Sequence, residues 1–357
     1  MLTLVYGTRG ELIKFASLIK ELEKRKIDFV TVDTFQQDTK DLSEKLKLPQ
    51  PNFRLKKSPR EAWSKLSAKS LIKVGPYGIG AYALAGAWSL KVLKQLKTVF
   101  EKTKGPIVYL GNTMTVSLAA RAAKSVKPKP FVIDYEGGLR TGKDATLDYL
   151  YKVGENAADL IFVRSPEITQ NLDGIKGEVV VIGNPATDLV KMALSLKPSF
   201  TVKEKKYVLA NSVRIKKRKD LINLVEALEN SPFPSIFIVN PMVKHMLNKM
   251  DINLVNTKVI EPVDYVSYIH LLKNSVCAIT DSNGVEEECA VLGKPCIVIN
   301  NFLQYKELSE YNIFVTGCNK QEIISKIWTV KDGLKRKFLK ASNATKKAVD
   351  VIENYLN

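Results

Sequence analysis

The sequence predicts two doubly wound α/β domains, each built on a parallel sheet, and three observations support this fold class. Short apolar, β-branched runs alternate with stretches of helical periodicity, and parallel strands need such crossover helices. The alternation restarts after Lys197. A length of 357 residues is also typical of two domains. We therefore expect domains at residues 1–183 and 184–335, followed by a C-terminal helix at 336–357 that packs back on the first domain.

In the first half, short runs of apolar and β-branched residues predict six strands, at Leu2–Tyr6, Phe29–Val32, Ile107–Leu110, Phe131–Asp134, Leu160–Val163 and Val179–Ile182. Apolar residues at helical spacing predict the helices between them, at Gly10–Lys24, Asp38–Leu46, Ala81–Phe100 and Val116–Lys124. Strand and helix thus alternate as in βαβ units.

In the second half, the same criteria predict strands at Tyr207–Ala210, Ile236–Val239, Lys258–Ile260, Cys277–Thr280, Cys296–Ile299 and Ile313–Val315. Helices are predicted at Lys219–Leu228, Tyr265–Lys273, Glu286–Leu292 and Asp332–Tyr355. Open parallel sheets bind ligands beyond the carboxyl ends of their strands. Two such sheets facing each other predict a ligand in an interdomain cleft.

The net charge of +18 and the pI near 9.5 favour an anionic partner. The basic residues are scattered, and only Lys216–Lys219 forms a compact run, which a solvated surface explains. Neither a zinc-finger spacing nor a basic motif with interleaved aromatics accompanies that run. The pattern therefore argues against nucleic acid.

The cysteines and histidines do not form a metal-binding pattern. The cysteines lack a CxxC pair and lie mostly in apolar stretches, which favours buried reduced thiols: Cys277, Cys289, Cys296 and Cys318. His245 and His270 are isolated from each other. Met1–Val5 is typical of a first strand and not of a signal peptide. We therefore expect a cytoplasmic protein without a metal.

An uncharged segment, Val74–Leu90, lies between Lys73 and Lys91. It contains four glycines and a proline, and it is shorter than the roughly 20 residues that a spanning helix needs. A helix covering a sheet explains it better than contact with a membrane surface.

Two loops of the first domain could approach a phosphate group. Gly7–Glu11 follows the first strand, and its Arg9 could bind phosphate in a bidentate manner, with Lys14 one turn into the following helix. A plain strand-to-helix turn explains that loop equally well. Gly111–Thr115 also joins a strand to a helix, and helix capping accounts for its Asn and Thr residues.

Two further loops carry carboxylates. Asp134–Gly142 follows an apolar strand, and Asp134 or Glu136 could act as a general acid or base there, although a surface turn fits as well. Thr280–Gly284 begins a helix whose first amides suit phosphate oxygens. Glu288, one turn further, could bind ribose hydroxyls. Glutamates near a helix N-terminus also have a purely structural interpretation.

Taken together, five motifs in order resemble the non-hydrolysing UDP-N-acetylglucosamine 2-epimerase family almost from end to end. They are GTRGELIK at Gly7–Lys14, LGNTMT at Leu110–Thr115, YEGGLRTG at Tyr135–Gly142, VIGNPATD at Val181–Asp188 and TDSNGVEEECAVLGKP at Thr280–Pro295. The resemblance implies two Rossmann-like domains in a glycosyltransferase-B-like arrangement, with UDP in the cleft.

The resemblance also implies roles for individual residues. Glu136 and Asp148 fall where the family keeps acid/base carboxylates, and Asn112 would orient the substrate. The nucleotide and its phosphates would be bound by Arg9, Lys14, Arg214, Ser282, Asn283, Gly284 and Glu288. Family members remove the proton at C2, expel UDP from C1 and add it back after inversion, without a cofactor. They are commonly homodimers. Gln36 and Gln37 lie at a place similar to a secondary substrate contact of the family.

The sequence departs from the family pattern at several of these positions. Asn112 replaces an Asp, Asp134 and Val213 each replace a His, and Glu286 replaces a Gln. Asn300 and the run Leu303–Tyr305 replace an Arg and a Thr-Glu-Arg run. Three hypotheses follow: an active epimerase, a glycosyltransferase of the same fold acting on a membrane-surface acceptor, or a non-catalytic binder of nucleotide-sugars.

Overall fold

The computed structural model describes residues 1–58, 76–140, 145–212, 215, 217–250, 252–303 and 305–356, except for the side chains of 76–84, 146 and 147. The chain forms two compact units, one of residues 1–185 with 342–357 and one of residues 186–341. Each unit contains one parallel sheet covered by helices, so the predicted fold class is confirmed.

The first unit has a seven-stranded sheet in the order β3-β2-β1-β4-β5-β6-β7. Its strands are β1 (Leu2–Tyr6), β2 (Phe29–Asp33), β3 (Phe53–Arg54), β4 (Ile107–Tyr109), β5 (Val132–Asp134), β6 (Leu160–Val163) and β7 (Glu178–Val181). Its helices are α1 (Arg9–Arg25), α2 (Lys40–Lys45), α3 (Pro76–Thr103), α4 (Met114–Ser125) and α5 (Ala145–Glu155), with a 3₁₀ turn at Pro166–Leu172. The strand order reverses between β1 and β4, which is where open sheets of this kind bind ligands.

The second unit has a six-stranded sheet in the order β10-β9-β8-β11-β12-β13. Its strands are β8 (Val208–Ser212), β9 (Ser235–Val239), β10 (Thr257–Ile260), β11 (Cys277–Thr280), β12 (Cys296–Val298) and β13 (Ile313–Val315). Its helices are α6 (Ala186–Ser195), α7 (Arg218–Glu229), α8 (Pro241–Asn248), α9 (Tyr265–Asn274), α10 (Asn283–Leu292) and α11 (Lys320–Lys331), with a 3₁₀ turn at Lys306–Glu310. In this sheet the strand order reverses between β8 and β11.

Central strands of both sheets are buried along their whole length. Every residue of β1 and β11 is buried, because helices cover both faces of a parallel sheet. Their sequences are therefore mostly apolar, and the few polar residues in them, Thr3 and Thr280, are buried as well. This is why the strands could be found from composition alone.

The predicted helix Asp332–Tyr355 is wrong in its first half. Helix α11 ends at Lys331, and the last helix, α12, spans only Ala344–Asn354. Gly333 has a φ of +104°, a conformation that L side chains rarely adopt and that a helix does not tolerate. Helices α5, α6, α8 and α11 and the two-residue strand β3 were not predicted from the sequence.

Helix α12 packs on α1 within the first unit. Arg25 at the end of α1 donates to Asp350 Oδ1 over 2.6 Å and to Glu353 Oε2 over 2.7 Å. Ala348, Val349 and Ile352 are fully buried. Ion pairs at one end and an apolar stripe along the helix therefore hold it in place.

The uncharged segment Val74–Leu90 is described from residue 76 onward, where it forms the first half of α3. Its Trp88 is buried and donates from Nε1 to the carbonyl of Lys56 over 2.7 Å. Among the helices of the described ranges, none combines the length and the apolar character that a membrane crossing requires.

All four cysteines carry free thiols. Cys277, Cys289 and Cys296 are buried, as predicted, while Cys318 is only partly covered. Burial raises the pKa of Cys277 to about 12, so this thiol is far from the reactive thiolate form.

Candidate functional site

In the first unit, the loops that follow β1, β4, β5 and β6 leave the same edge of the sheet. The carboxyl ends of parallel strands meet at that edge, so residues distant in sequence converge there. Three of the predicted site residues lie on these loops or just beyond them: Arg9, Asn112 and Glu136. Lys14 extends to them from the second turn of α1.

The first loop carries its own carboxylate. Glu11 Oε2 accepts hydrogen bonds from the amides of Gly7, over 2.8 Å, and Thr8, over 2.9 Å. Its other oxygen accepts from the hydroxyl of Thr113 over 2.5 Å. Burial raises the pKa of Glu11, against the effect of these hydrogen bonds. The two amides that could have faced a phosphate therefore face a built-in carboxyl group.

The packing around Gly7 requires a glycine in this loop. A Cβ at Gly7 would collide with the hydroxyl groups of Thr34 and Thr115. The oxygens of these two hydroxyl groups lie 2.7 Å apart. Thr115 also donates to Gln36 Oε1 over 3.1 Å. Polar contacts between β1, β2 and α4 thus occupy the space that a side chain would need.

Arg9 forms an exposed ion pair. Its Nη1 lies 2.7 Å from Asp41 Oδ1, and its amide donates to Gln37 Oε1 over 3.0 Å. The guanidinium lowers the pKa of Asp41. Because exposed ion pairs contribute little to stability, Arg9 could leave Asp41 and bind a phosphate at a small cost in free energy.

Glu136 lies two residues beyond the end of β5 and is 8% exposed. Lys14 Nζ contacts both of its carboxylate oxygens and lies 2.6 Å from Oε1. Arg164, directly after β6, places its Nη2 at 3.4 Å from that same oxygen. The structure therefore brings together a predicted acid/base residue and a predicted phosphate ligand, and it adds a second cation.

Below Glu136 lies a fully buried carboxyl group, that of Asp134. Burial and the negative charge of Glu155 raise its pKa well above the ordinary value, which favours the neutral acid. Asp134 Oδ1 accepts from the amide of Glu136 over 3.1 Å. Within the described ranges, Oδ2 has no hydrogen-bond partner. Asp134 thus holds the backbone of Glu136.

Arg140 fixes the rest of the loop. Its two terminal nitrogens lie 2.8 and 2.7 Å from the two oxygens of Glu155, which is fully buried. Glu155 Oε1 also accepts from the amide of Gly138 over 2.9 Å. This bidentate pair and the amide contact fold residues 135–140 back against α5, which orients Glu136 from the other side.

Asp148 and Asn112 are both partly buried. Asp148 lies in the first turn of α5, which begins directly after the undescribed residues 141–144. Asn112 precedes Thr113, whose hydroxyl caps α4 by accepting from Val116. Capping therefore explains Thr113, whereas the side chain of Asn112 is not needed for the cap.

In the second unit, the predicted nucleotide loop follows β11. Ser282 is the N-cap of α10, and its amide donates to Thr280 Oγ1 over 3.0 Å. The Ser282 hydroxyl caps none of the described amides. A Cβ at Gly284 would meet nothing within 4 Å, so this helix start is open on that side. An open N-terminus with a hydroxyl is suited to phosphate oxygens.

Behind this loop, Asp281 and Glu288 are both buried. Asp281 Oδ2 accepts from Ser212 over 2.9 Å, and its carbonyl accepts from Asn300 over 3.0 Å. Burial and the charge of Glu288 raise the pKa of Tyr265 well above its ordinary value. The predicted phosphate ligand Arg214 and the neighbouring Val213 lie outside the described residues, as does Gln304.

Glu11 and Arg164 were not predicted as site residues from the sequence. Each has a signal that could have been used. Arg164 is a single charged residue directly after the apolar run Leu160–Val163, which is the same pattern that drew attention to Asp134. Glu11 lies three residues after Thr8, the spacing of a capping box, and the structure contains that box.

The sequence of this chain is similar to those of known proteins. The family model described as UDP-N-acetylglucosamine 2-epimerase matches residues 85–353. A UDP-N-acetylglucosamine 2-epimerase of Methanocaldococcus jannaschii is 26% identical over 91% of this chain and 91% of its own. One of Campylobacter jejuni is 26% identical over 90% of this chain and 87% of its own.

Solved structures share the fold. The crystal structure of the M. jannaschii UDP-GlcNAc 2-epimerase in complex with UDP-GlcNAc and UDP superimposes with a TM-score of 0.79. It is 24% identical, and the match covers 99% of each chain. At this identity the likeness supports the fold.

Proposed function

The chain belongs to the UDP-N-acetylglucosamine 2-epimerase family, and we propose on this premise that it interconverts UDP-N-acetylglucosamine and UDP-N-acetylmannosamine. The observation that carries the proposal is the buried carboxylate of Glu136 at the carboxyl end of β5, held against Lys14. The sugar proton at C2 is a weak acid, so its removal needs a positioned base that is shielded from water.

The proposed reaction is an elimination followed by an addition. Glu136 accepts the C2 proton while the bond from C1 to the diphosphate oxygen breaks, and its electron pair leaves with UDP. The intermediate is 2-acetamidoglucal. Asp148 then delivers a proton to the opposite face of C2 as the UDP oxygen re-forms its bond to C1. Exchange with solvent restores both carboxyl groups, and the cycle involves no net oxidation, so it needs no cofactor.

The amide of Asn112 can donate and accept hydrogen bonds, which suits it to orient the sugar between the two carboxyl groups. The proposal assigns UDP to the start of α10. Ser282 and the amides of Asn283 and Gly284 would bind the diphosphate, and Glu288 the ribose. Cations would come from Arg9, Lys14 and Arg214.

The test is incubation with UDP-N-acetylglucosamine in heavy water, followed by NMR at the anomeric and C2 protons. We expect deuterium at C2 and the anomeric signal of the manno isomer. Glu136→Gln is the negative control, since an amide cannot take the proton. Thermal stabilisation by UDP without any exchange at high protein concentration would contradict the proposal and favour a non-catalytic binder.

A further inference from the structure

Arg164 is a buried cation that the family resemblance did not assign. Its side chain is 3% exposed, and its Nη2 lies 3.4 Å from Glu136 Oε1. Arginine is almost never buried to this degree without an opposite charge, because desolvation of the guanidinium is costly. The carboxylate of Glu136 supplies that charge.

The two cations on Glu136 differ in their freedom to move. Lys14 reaches the carboxylate from α1, and its side chain is 30% exposed. Arg164 comes from the loop after β6 and is enclosed. In the proposed function, the diphosphate attracts Lys14, and the ammonium group is a compact, flexible ligand for it. Once Lys14 turns to the diphosphate, Arg164 is the cation that stays beside Glu136.

We propose that Arg164 is the positioning residue of Glu136, which keeps this carboxylate ionised and directed at the sugar after Lys14 has moved to the diphosphate. This inference rests on the proposed function. A guanidinium does not release its proton, so Arg164 cannot act as the acid itself. Its role is electrostatic and steric.

The other charged groups around Glu136 do not replace this role. Asp134 lies behind it and holds its amide, and burial raises the pKa of that carboxyl group, which favours the neutral form. Arg140 is engaged by both oxygens of Glu155. Among the described residues, removal of Arg164 would therefore leave Lys14 as the cation on this carboxylate, and Lys14 is the group that the diphosphate draws away.

The experiment compares Arg164→Gln, which removes the charge, with Arg164→Lys, which retains it. Arg121→Gln, an exposed substitution on α4, is the matched control. We expect Arg164→Gln to lower kcat by about 10²-fold, the lower end of what a positioned acid/base group contributes. KM and UDP affinity should stay near the wild-type values. The acidic limb of kcat, which reports ionisation in the substrate complex, should move to higher pH, and Arg164→Lys should restore part of both effects.

A second readout does not depend on turnover. In protein labelled with ¹³C at glutamate carboxyl groups, the Glu136 signal is identified by its loss in Glu136→Gln. With UDP bound, this signal should show that the Glu136 carboxyl group becomes protonated at a higher pH in Arg164→Gln than in the wild type. Melting temperatures show whether each variant is folded.

The outcomes separate the two proposals. If the wild type does not exchange the C2 proton but the NMR signal responds to Arg164→Gln as expected, the proposed function fails, whereas the electrostatic effect of Arg164 on Glu136 stands. If the folded Arg164→Gln variant titrates and turns over like the wild type, the role of Arg164 is overturned. If Arg164→Gln does not fold, the Arg164→Lys variant is the deciding one. A wild-type pH profile and a wild-type titration of Glu136 in Arg164→Lys would support a charge role for Arg164. Loss of turnover in Arg164→Lys with an unchanged titration of Glu136 would overturn it.

Discussion

The sheet edges of the two units, each of which carries predicted site residues, are built differently. At the edge of the first unit, the polar groups satisfy one another: Glu11 occupies the amides of Gly7 and Thr8, and Lys14 and Arg164 face Glu136. At the edge of the second unit, the Ser282 hydroxyl is not used as a cap, and the space beside Gly284 is open. The first edge is organised around a carboxylate, which suits the proposed proton transfer, and the second has an open helix start, which suits the proposed binding of the diphosphate.

The buried cations show the same contrast. Arg164 in the first unit faces a carboxylate. In the second unit, the buried Lys294 donates to the carbonyl of Ser275 over 2.6 Å, and burial lowers its pKa to about 8. A cation opposite a carboxylate keeps its charge, whereas one opposite a carbonyl group gives it up more readily.

The largest effect is expected at Glu136. Glu136→Gln should reduce deuterium incorporation at C2 by about 10³-fold, because a positioned base is lost. UDP affinity, measured by calorimetry, should not change. Glu44→Gln, an exposed substitution on α2, serves as the control. Deuterium exchange at C2 at the wild-type rate in Glu136→Gln would contradict the assignment of proton transfer to the first edge.

The next effect tests whether Glu11 fills an anion site. Glu11→Ala removes the acceptor of two amides and of the hydroxyl groups of Thr8 and Thr113. The free energy of unfolding should therefore fall by roughly 3 kcal/mol or more, given about 1–3 kcal/mol for each unsatisfied buried group. Urea denaturation measures this loss. Inorganic phosphate should raise the melting temperature of Glu11→Ala more than that of the wild type. Equal responses to phosphate would show that the first edge is not a filled anion site.

A smaller effect is expected at the second edge. Ser282→Ala combined with Glu288→Ala should weaken UDP binding by roughly 1–3 kcal/mol, through lost hydrogen bonds to phosphate and ribose oxygens. Isothermal calorimetry is the measurement, and the exposed Ser309→Ala is the control. An unchanged affinity would mean that the nucleotide binds elsewhere.

The smallest effect concerns Lys294. Its pKa is about 8 in the folded chain against 10.5 as the ordinary value. Between these values the unfolded chain binds more protons, so the contribution of Lys294 to stability rises as the pH increases from about 8 to 10.5. Urea denaturation across this range should show the wild type gaining stability relative to Lys294→Met. A stability difference between the wild type and Lys294→Met that does not change with pH would contradict the contrast between the two buried cations.

Errors in the sequence analysis came from positions where a local pattern competes with backbone geometry. The run from Asp332 to Tyr355 has enough apolar spacing for one helix, but Gly333 and Asn343 both adopt positive φ and separate α12 from what precedes it. Helices α5, α6, α8 and α11 were missed because a short amphipathic run does not stand out without the sheet that it covers. Strand β3 has only two residues and pairs with β2 alone, so composition carries no signal for it.

The sequence alone determined the fold class and the position of Glu136 and Ser282 after buried strands, because a parallel sheet covered on both faces demands continuous apolar runs that end where the loops begin. Only the tertiary structure decided what those loops contact. Lys14 and Glu136 are separated by 122 residues, and Arg164 lies 28 residues further on. Their approach depends on the order of strands β1, β4, β5 and β6 in the sheet, which no local pattern encodes.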